Sequence, residues 1–212
     1  RLAAQHGEVE PAQLEAAYLR ASKSFWSNSN NVPKSSESGT SDGNAIRIEV
    51  WNNALSICGI ADHRYAVKVA DFYTQERRIS YRLFPEVEDV LKIFHERFAI
   101  GVITNGTNTQ REKIENTSLG NYIDLVIISG EVGVGKPEAE IFTKALSSIN
   151  TKPKEAIYVG DSLELDIAGA KNAGLYAIWL NRNKLAKPGL SVVPDSEITN
   201  LRELLPMFDV QQ

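Results

Sequence analysis

A chain of 212 residues with a net charge of −4 is long enough for one domain with an insert, or for two modest domains. Its charges of both signs are scattered, which argues against a nucleic-acid-binding surface, and no apolar run approaches the roughly 20 residues of a membrane span. The single cysteine, Cys58, excludes a disulfide framework within the chain and is the usage expected of a reducing, cytoplasmic setting.

The first residues, RLAAQHGEVEP, read as the tail of a helix followed by a glycine turn, so the first element is expected to lack its beginning. PAQLEAAYLRASKSF starts with Pro11 at a favourable first-turn position and places Leu14, Tyr18 and Ala21 on one face of a helix. The stretch 27–44, rich in Ser, Asn and Gly, is expected to be a mobile surface loop. AIRIEVWNNALSI forms a second helix that ends at Gly59, and DHRYAVKVADFYTQER a third with Asp62 as its N-cap. Residues 1–83 thus read as a helical unit.

From Phe84 the pattern changes to alternating helix and strand through residue 212. Helix PEVEDVLKIFHER precedes strand AIGVIT, helix TQREKIEN strand IDLVIIS, and helix EAEIFTKALSSI strand EAIYVG; helix LELDIAGAKNAG then leads to strand YAIWL and the closing ITNLRELLPMF. Such alternation implies right-handed crossovers around a Rossmann-like parallel α/β sheet. Ligands bind beyond the carboxyl ends of strands in such sheets.

Those ends carry a consistent set. Thr104, Asn105 and Gly106 follow the first strand and supply a hydroxyl and turn N–H groups for an anion nest. Lys136 follows the second. Its loop GEVGVGK matches the first seven positions of a P-loop, but Pro137 stands where the metal-binding hydroxyl belongs, so the lysine serves another site. Asp161 and Asp166 follow the third strand and offer hard oxygen ligands suited to Mg²⁺. Each has an ordinary reading alone: a turn, a surface lysine, a helix cap, a solvated carboxylate. Together, on separate strand ends, they make a phosphate-handling site.

At these residues the chain resembles the haloacid-dehalogenase-like (HAD) phosphohydrolases. ITNGT is similar to that family's second motif, GVGKPEAEIF to the third and VGDSLELDIAGAKNAG to the fourth, and residues 1–83 resemble its inserted helical cap. TNTQREKIE and AIWLNRN resemble the branch of N-acylneuraminate-9-phosphatases, pyrimidine 5′-nucleotidases and flavin mononucleotide phosphatases. The resemblance implies an aspartyl-phosphate mechanism on a small phosphorylated substrate, in a monomer or homodimer. Thr104 and Asn105 would bind phosphoryl oxygens, Lys136 would anchor the phosphorylated aspartate, and Asp161 and Asp166 would hold Mg²⁺, the latter directly or through water.

The family's first motif, Asp-x-Asp-x-Thr on a central strand, is absent from these 212 residues. The nucleophile is therefore expected upstream of the chain. In the cap, Arg47, Arg77, Arg78 and Arg82 are candidate anion contacts, and Trp51 fits either stacking on a base or flavin or a place in the core. A non-catalytic binding module with the same nest is the alternative. The order of the acids after Thr and Lys argues against a response-regulator receiver, the acid pair argues against a metal-free dehalogenase, and a phosphosugar mutase would share the core.

Overall fold

The computed structural model describes residues 9–27, 43–185 and 192–208. Most of the 27–44 loop lies outside the described residues, but Gly43 and Asn44 already belong to the following helix. Helices α1 (Pro11–Ser27), α2 (Gly43–Ile57) and α3 (His63–Ser80) pack on one another around a cluster of their own. Ala54, Ala66 and Ala70 are fully buried there beside Leu55, so small side chains bring the helix backbones close and large ones fill the remaining space. Asp62 caps α3 by accepting the Tyr65 N–H at 3.1 Å, and Gly59 turns the chain out of α2 with φ +80°.

The remaining elements are α4 (Val87–His95), β1 (Gly101–Thr104), α5 (Thr109–Glu115), β2 (Leu125–Ile128), α6 (Ser129–Val132), α7 (Ala139–Ser148), β3 (Ile157–Gly160), α8 (Ala168–Asn172), β4 (Tyr176–Leu180), β5 (Ser196–Ile198) and α9 (Leu204–Met207). All pairings are parallel, as an α/β crossover fold requires. The helix expected over residues 163–174 divides in two. The Ile167 N–H bonds the Ser162 carbonyl at 3.1 Å, five residues back, which winds Leu163–Ile167 into a π turn before α8.

Among the described residues the strands form two separate sheets, β1–β2 and β3–β4–β5. β4 has a partner on each side and buries Ala177, Ile178 and Trp179, the continuous apolar run of a strand covered on both faces. β1 and β3 have one partner each and are only half covered. Helices α7 and α8 hold the two sheets together from one side: Ile141, Phe142 and Ala170 pack in one cluster with Ile127 of β2 and Ala177 and Trp179 of β4. No helix among the described residues is long and apolar enough to cross a membrane.

Candidate active site

The chemistry-bearing residues collect at the carboxyl ends of β1 and β3. After Thr104 the chain turns through Asn105 and Gly106, and this turn is tied to the end of β2. The Gly106 N–H donates to Ser129 Oγ at 3.0 Å, and the Gly130 N–H donates to the Gly106 carbonyl at 3.0 Å. The Thr104 hydroxyl lies 3.3 Å from the Asn105 carbonyl.

Asn105 reaches across to the loop after α6. Its Oδ1 accepts the Lys136 N–H at 2.7 Å and its Nδ2 donates to the Lys136 carbonyl at 2.9 Å. Gly135 makes room for this contact, since a Cβ there would stand 2.9 Å from Asn105 Oδ1. The Lys136–Pro137 peptide is cis.

With its backbone held from β1, Lys136 extends toward β3. Its Nζ lies 2.6 Å from Asp166 Oδ1 and 3.2 Å from the Tyr158 hydroxyl. Asp166 Oδ1 also accepts from the Tyr158 hydroxyl at 3.0 Å, and Oδ2 accepts the Ser162 N–H at 3.0 Å. The Lys136 side chain is 13% exposed and that of Asp166 4%, so the pair is buried and the carboxylate is fully engaged. A glycine at 160 is what lets Asp166 fold back over the strand tip: a Cβ at that position would lie 2.3 Å from Asp166 Cβ. Burial, then the Asp166 charge and its hydrogen bond, push the Tyr158 phenol well above its ordinary value, so it remains a neutral donor.

The predicted strand-end residues therefore meet at the carboxyl ends of β1 and β3 with three differences, the first being that Gly106, expected to offer its N–H to an anion, donates it to Ser129 Oγ. Asp166, expected as a metal ligand, has both oxygens taken up by Lys136, Tyr158 and a backbone N–H. Asn105, expected to act through its N–H, also uses its side chain to hold Lys136. Asp161 is exposed at the β3 end, with its backbone carbonyl fixed by Trp179 Nε1 at 2.9 Å. No cluster of three acidic, His or Cys side chains occurs among the described residues. The donor set fits Mg²⁺ in part, because that ion commonly takes only one or two protein carboxylates and completes its shell with water and substrate phosphate.

Tyr158 was not singled out by sequence reading: within EAIYVG it reads as strand filler, and only its hydroxyl's partners reveal its part. Arg182, two residues past the end of β4, is a structural residue. It ion-pairs with buried Glu86 at 2.5 Å and lies 4.0 Å above the Phe84 ring. In the helical unit, Arg47 of α2 donates to Thr74 of α3 at 2.5 Å, Arg77 lies 5.6 Å above the Tyr73 ring, and Trp51 is buried in the cluster of the three helices.

The family model that describes haloacid dehalogenase-like hydrolases matches residues 9–174. The chain is 39% identical over 161 residues to a phosphoserine phosphatase of Thermus thermophilus, covering 75% of this chain and 64% of that protein. It is 38% identical over 161 residues to a pyrimidine 5′-nucleotidase of Escherichia coli, covering 74% and 68%. The chain thus spans about two thirds of the length of these curated relatives. In fold it is similar to the magnesium-bound HAD-hydrolase YfnB of Bacillus subtilis, with a TM-score of 0.76 at 21% identity, over 99% of this chain and 88% of that one. The matched span takes in the helical unit and the strands through β3 alike, and the chain belongs to the haloacid dehalogenase-like hydrolase family.

Proposed function

We propose that the protein is a Mg²⁺-dependent phosphatase of small phosphate monoesters, with nucleotide, flavin and sugar phosphates as the substrate class and the cytoplasm as its setting. The observation that carries this reading is the double tether of Lys136. Asn105 holds its backbone from the β1 side, and Asp166 and Tyr158 hold its ammonium from the β3 side. A cation fixed in this way, beside the Thr104 hydroxyl, is preorganised for a phosphoryl group. The phosphatase and nucleotidase activities in the names of the relatives support the reaction class.

On this reading an Asp-x-Asp strand occupies the gap between β1 and β3. The sheet's division at that point supports it, because each of the two strands lacks a second partner. The first aspartate attacks phosphorus and forms an aspartyl-phosphate that water hydrolyses, and the second acts as acid and base. Thr104 and the Asn105 N–H bind phosphoryl oxygens, Lys136 holds the phosphorylated aspartate, and Asp166 orients Lys136. Asp161 is the metal ligand from this chain. Mg²⁺, when bound, screens the charge between nucleophile and phosphoryl group.

The test is phosphate release by the full-length protein from a panel of small phosphate esters, with Mg²⁺ and with EDTA. Turnover that requires Mg²⁺ and falls at least 100-fold, roughly the loss of one electrostatic contact, in Asp161→Asn is the expected result. Inactivity on every ester overturns the reading in favour of a binding module. Retention of the Mg²⁺ requirement at full rate in Asp161→Asn overturns the ligand assignment.

A further inference from the structure

The Tyr158 hydroxyl stands between the two charges of the strand-end site. It lies 3.0 Å from Asp166 Oδ1 and 3.2 Å from Lys136 Nζ, while Nζ and Oδ1 are themselves 2.6 Å apart. The three atoms close a triangle, and each comes from a different part of the chain. Tyr158 belongs to β3, Asp166 to the π turn that follows it, and Lys136 to the loop after α6.

The protons of this triangle can be counted. An ionised carboxylate only accepts, an ammonium only donates, and a phenol gives one proton and accepts as well. Burial and the Asp166 charge keep the Tyr158 phenol protonated. Its proton has two acceptors in reach, Asp166 Oδ1 at 3.0 Å and the Ile103 carbonyl at 3.5 Å. The shorter contact, to the charged acceptor, is the stronger one. With that proton committed to Asp166, the phenol oxygen accepts from Lys136. One Lys136 N–H then goes to Asp166 and one to Tyr158, and the remaining one has no acceptor among the described residues.

An ion pair alone would not fix that remaining N–H. A lysine ammonium is a point charge with rotatable donors, and bonded at one point it still turns about its Cε–Nζ bond. A second acceptor stops the rotation, provided that it is itself held. The Tyr158 ring meets fully buried Phe142 edge-on, with centroids 4.9 Å apart and 79° between the planes. A phenylalanine at 158 would make the same ring contact, so the hydroxyl is not required by the packing.

We propose that Tyr158 is a positioning residue: its hydroxyl fixes the rotation of the Lys136 ammonium and so keeps one N–H aimed at the phosphoryl oxygens. The proposal rests on the phosphatase reading above and deepens it with a residue that acts through Lys136 alone. Charge on the phosphoryl group must be met by that N–H most closely in the transition state, so loss of the hydroxyl falls on kcat rather than on KM.

Tyr158→Phe in the full-length protein tests this with p-nitrophenyl phosphate and Mg²⁺, well below the thermal midpoint. The expected fall in kcat is about 10- to 100-fold, the scale of one hydrogen bond to a charged group, with KM nearly unchanged. An unchanged kcat, or a loss carried by KM alone, overturns the proposal. Side-chain ¹⁵N NMR of the lysine ammonium groups gives a reading that needs no turnover, with the Lys136 signal identified by its loss in Lys136→Arg. Its protons should exchange with water at least about tenfold faster in Tyr158→Phe than in the wild type. A Lys136 signal missing from the wild type, or equal exchange in the two proteins, overturns the proposal. If the wild type does not turn over the ester, it is the phosphatase reading that fails, and the exchange rates still decide the part of Tyr158.

Discussion

The Asn105 carboxamide is bonded at both ends to the main chain of Lys136, accepting its N–H at 2.7 Å and donating to its carbonyl at 2.9 Å. The side chain that follows β1 therefore sets where the loop after α6 sits. Asn105→Ala removes both bonds and is expected to lower stability by about 1–2 kcal/mol, since a partly exposed pair nets less than a buried one. It should lower kcat more than it raises KM, because Lys136 loses its position rather than its charge. Asn105→Asp should be worse for activity, as a carboxylate oxygen then opposes the Lys136 carbonyl. Urea unfolding and steady-state kinetics of the full-length protein check both variants.

Lys136 and Asp166 form a buried ion pair with a 2.6 Å contact. Lys136→Met strands the Asp166 carboxylate and is expected to cost about 3–5 kcal/mol, the usual penalty for breaking such a pair from one side. Lys136→Met with Asp166→Asn removes both charges and should recover most of the stability and none of the activity. A double-mutant cycle on urea midpoints, run beside the phosphate-release assay, separates the two roles. Recovery of activity in the double variant would show that Lys136 has no part in the chemistry.

Gly160→Ala places a methyl group 2.3 Å from Asp166 Cβ and 2.5 Å from its Cγ. Asp166 is buried and bonded on three sides, so it cannot swing aside without losing Lys136, Tyr158 or Ser162. The expected loss is about 1–3 kcal/mol from overpacking, with a fall in activity. The check is the thermal midpoint, followed by activity measured well below that midpoint.

Arg182 and Glu86 join the end of β4 to the segment that precedes α4. Burial alone pushes the Glu86 carboxyl up, but its own backbone N–H and the Arg182 guanidinium outweigh it, and the net position is below the ordinary 4.5. A carboxyl held low in the folded state stabilises above its unfolded value and loses that contribution as pH falls through the folded one. Wild type should therefore be more stable than Glu86→Gln at neutral pH, and the difference should shrink progressively below about pH 4.5. Denaturation curves for both proteins from pH 7 to pH 3 read the difference directly. A constant gap across that range would mean that the pair contributes through shape alone.

The strand ends were legible because a parallel sheet buries its strands in apolar runs and leaves the residues just after them for function. GVIT, LVII and IYVG each mark their own ends, and Thr104, Lys136 and Asp161 follow by position. The Asp62 cap and the Gly59 turn were legible for a different reason: both depend on neighbours a few residues away. The Asn105–Lys136 clamp spans 31 residues and the Tyr158–Asp166 bond needs the π turn, and neither separation has a periodic signature. Arg182 stands just beyond a strand end yet pairs with Glu86, because strand position does not distinguish a ligand contact from an ion pair with a distant acid. Arg47, Arg77 and Trp51 were legible as cap candidates, but their neighbours Thr74, Tyr73 and Tyr18 follow only from the packing of the helices.

The division of the sheet sets an order of local opening. β4 is bonded along both sides and buried on both faces, so its amides should be the last in the sheet to exchange with solvent. β1 and β3 each have one bonded side, and their amides should exchange sooner. Backbone that opens more readily than β4 then lies beneath Thr104, Lys136 and Asp166. Any molecule that settles there registers first as slower exchange in those two strands, before it changes the global unfolding temperature.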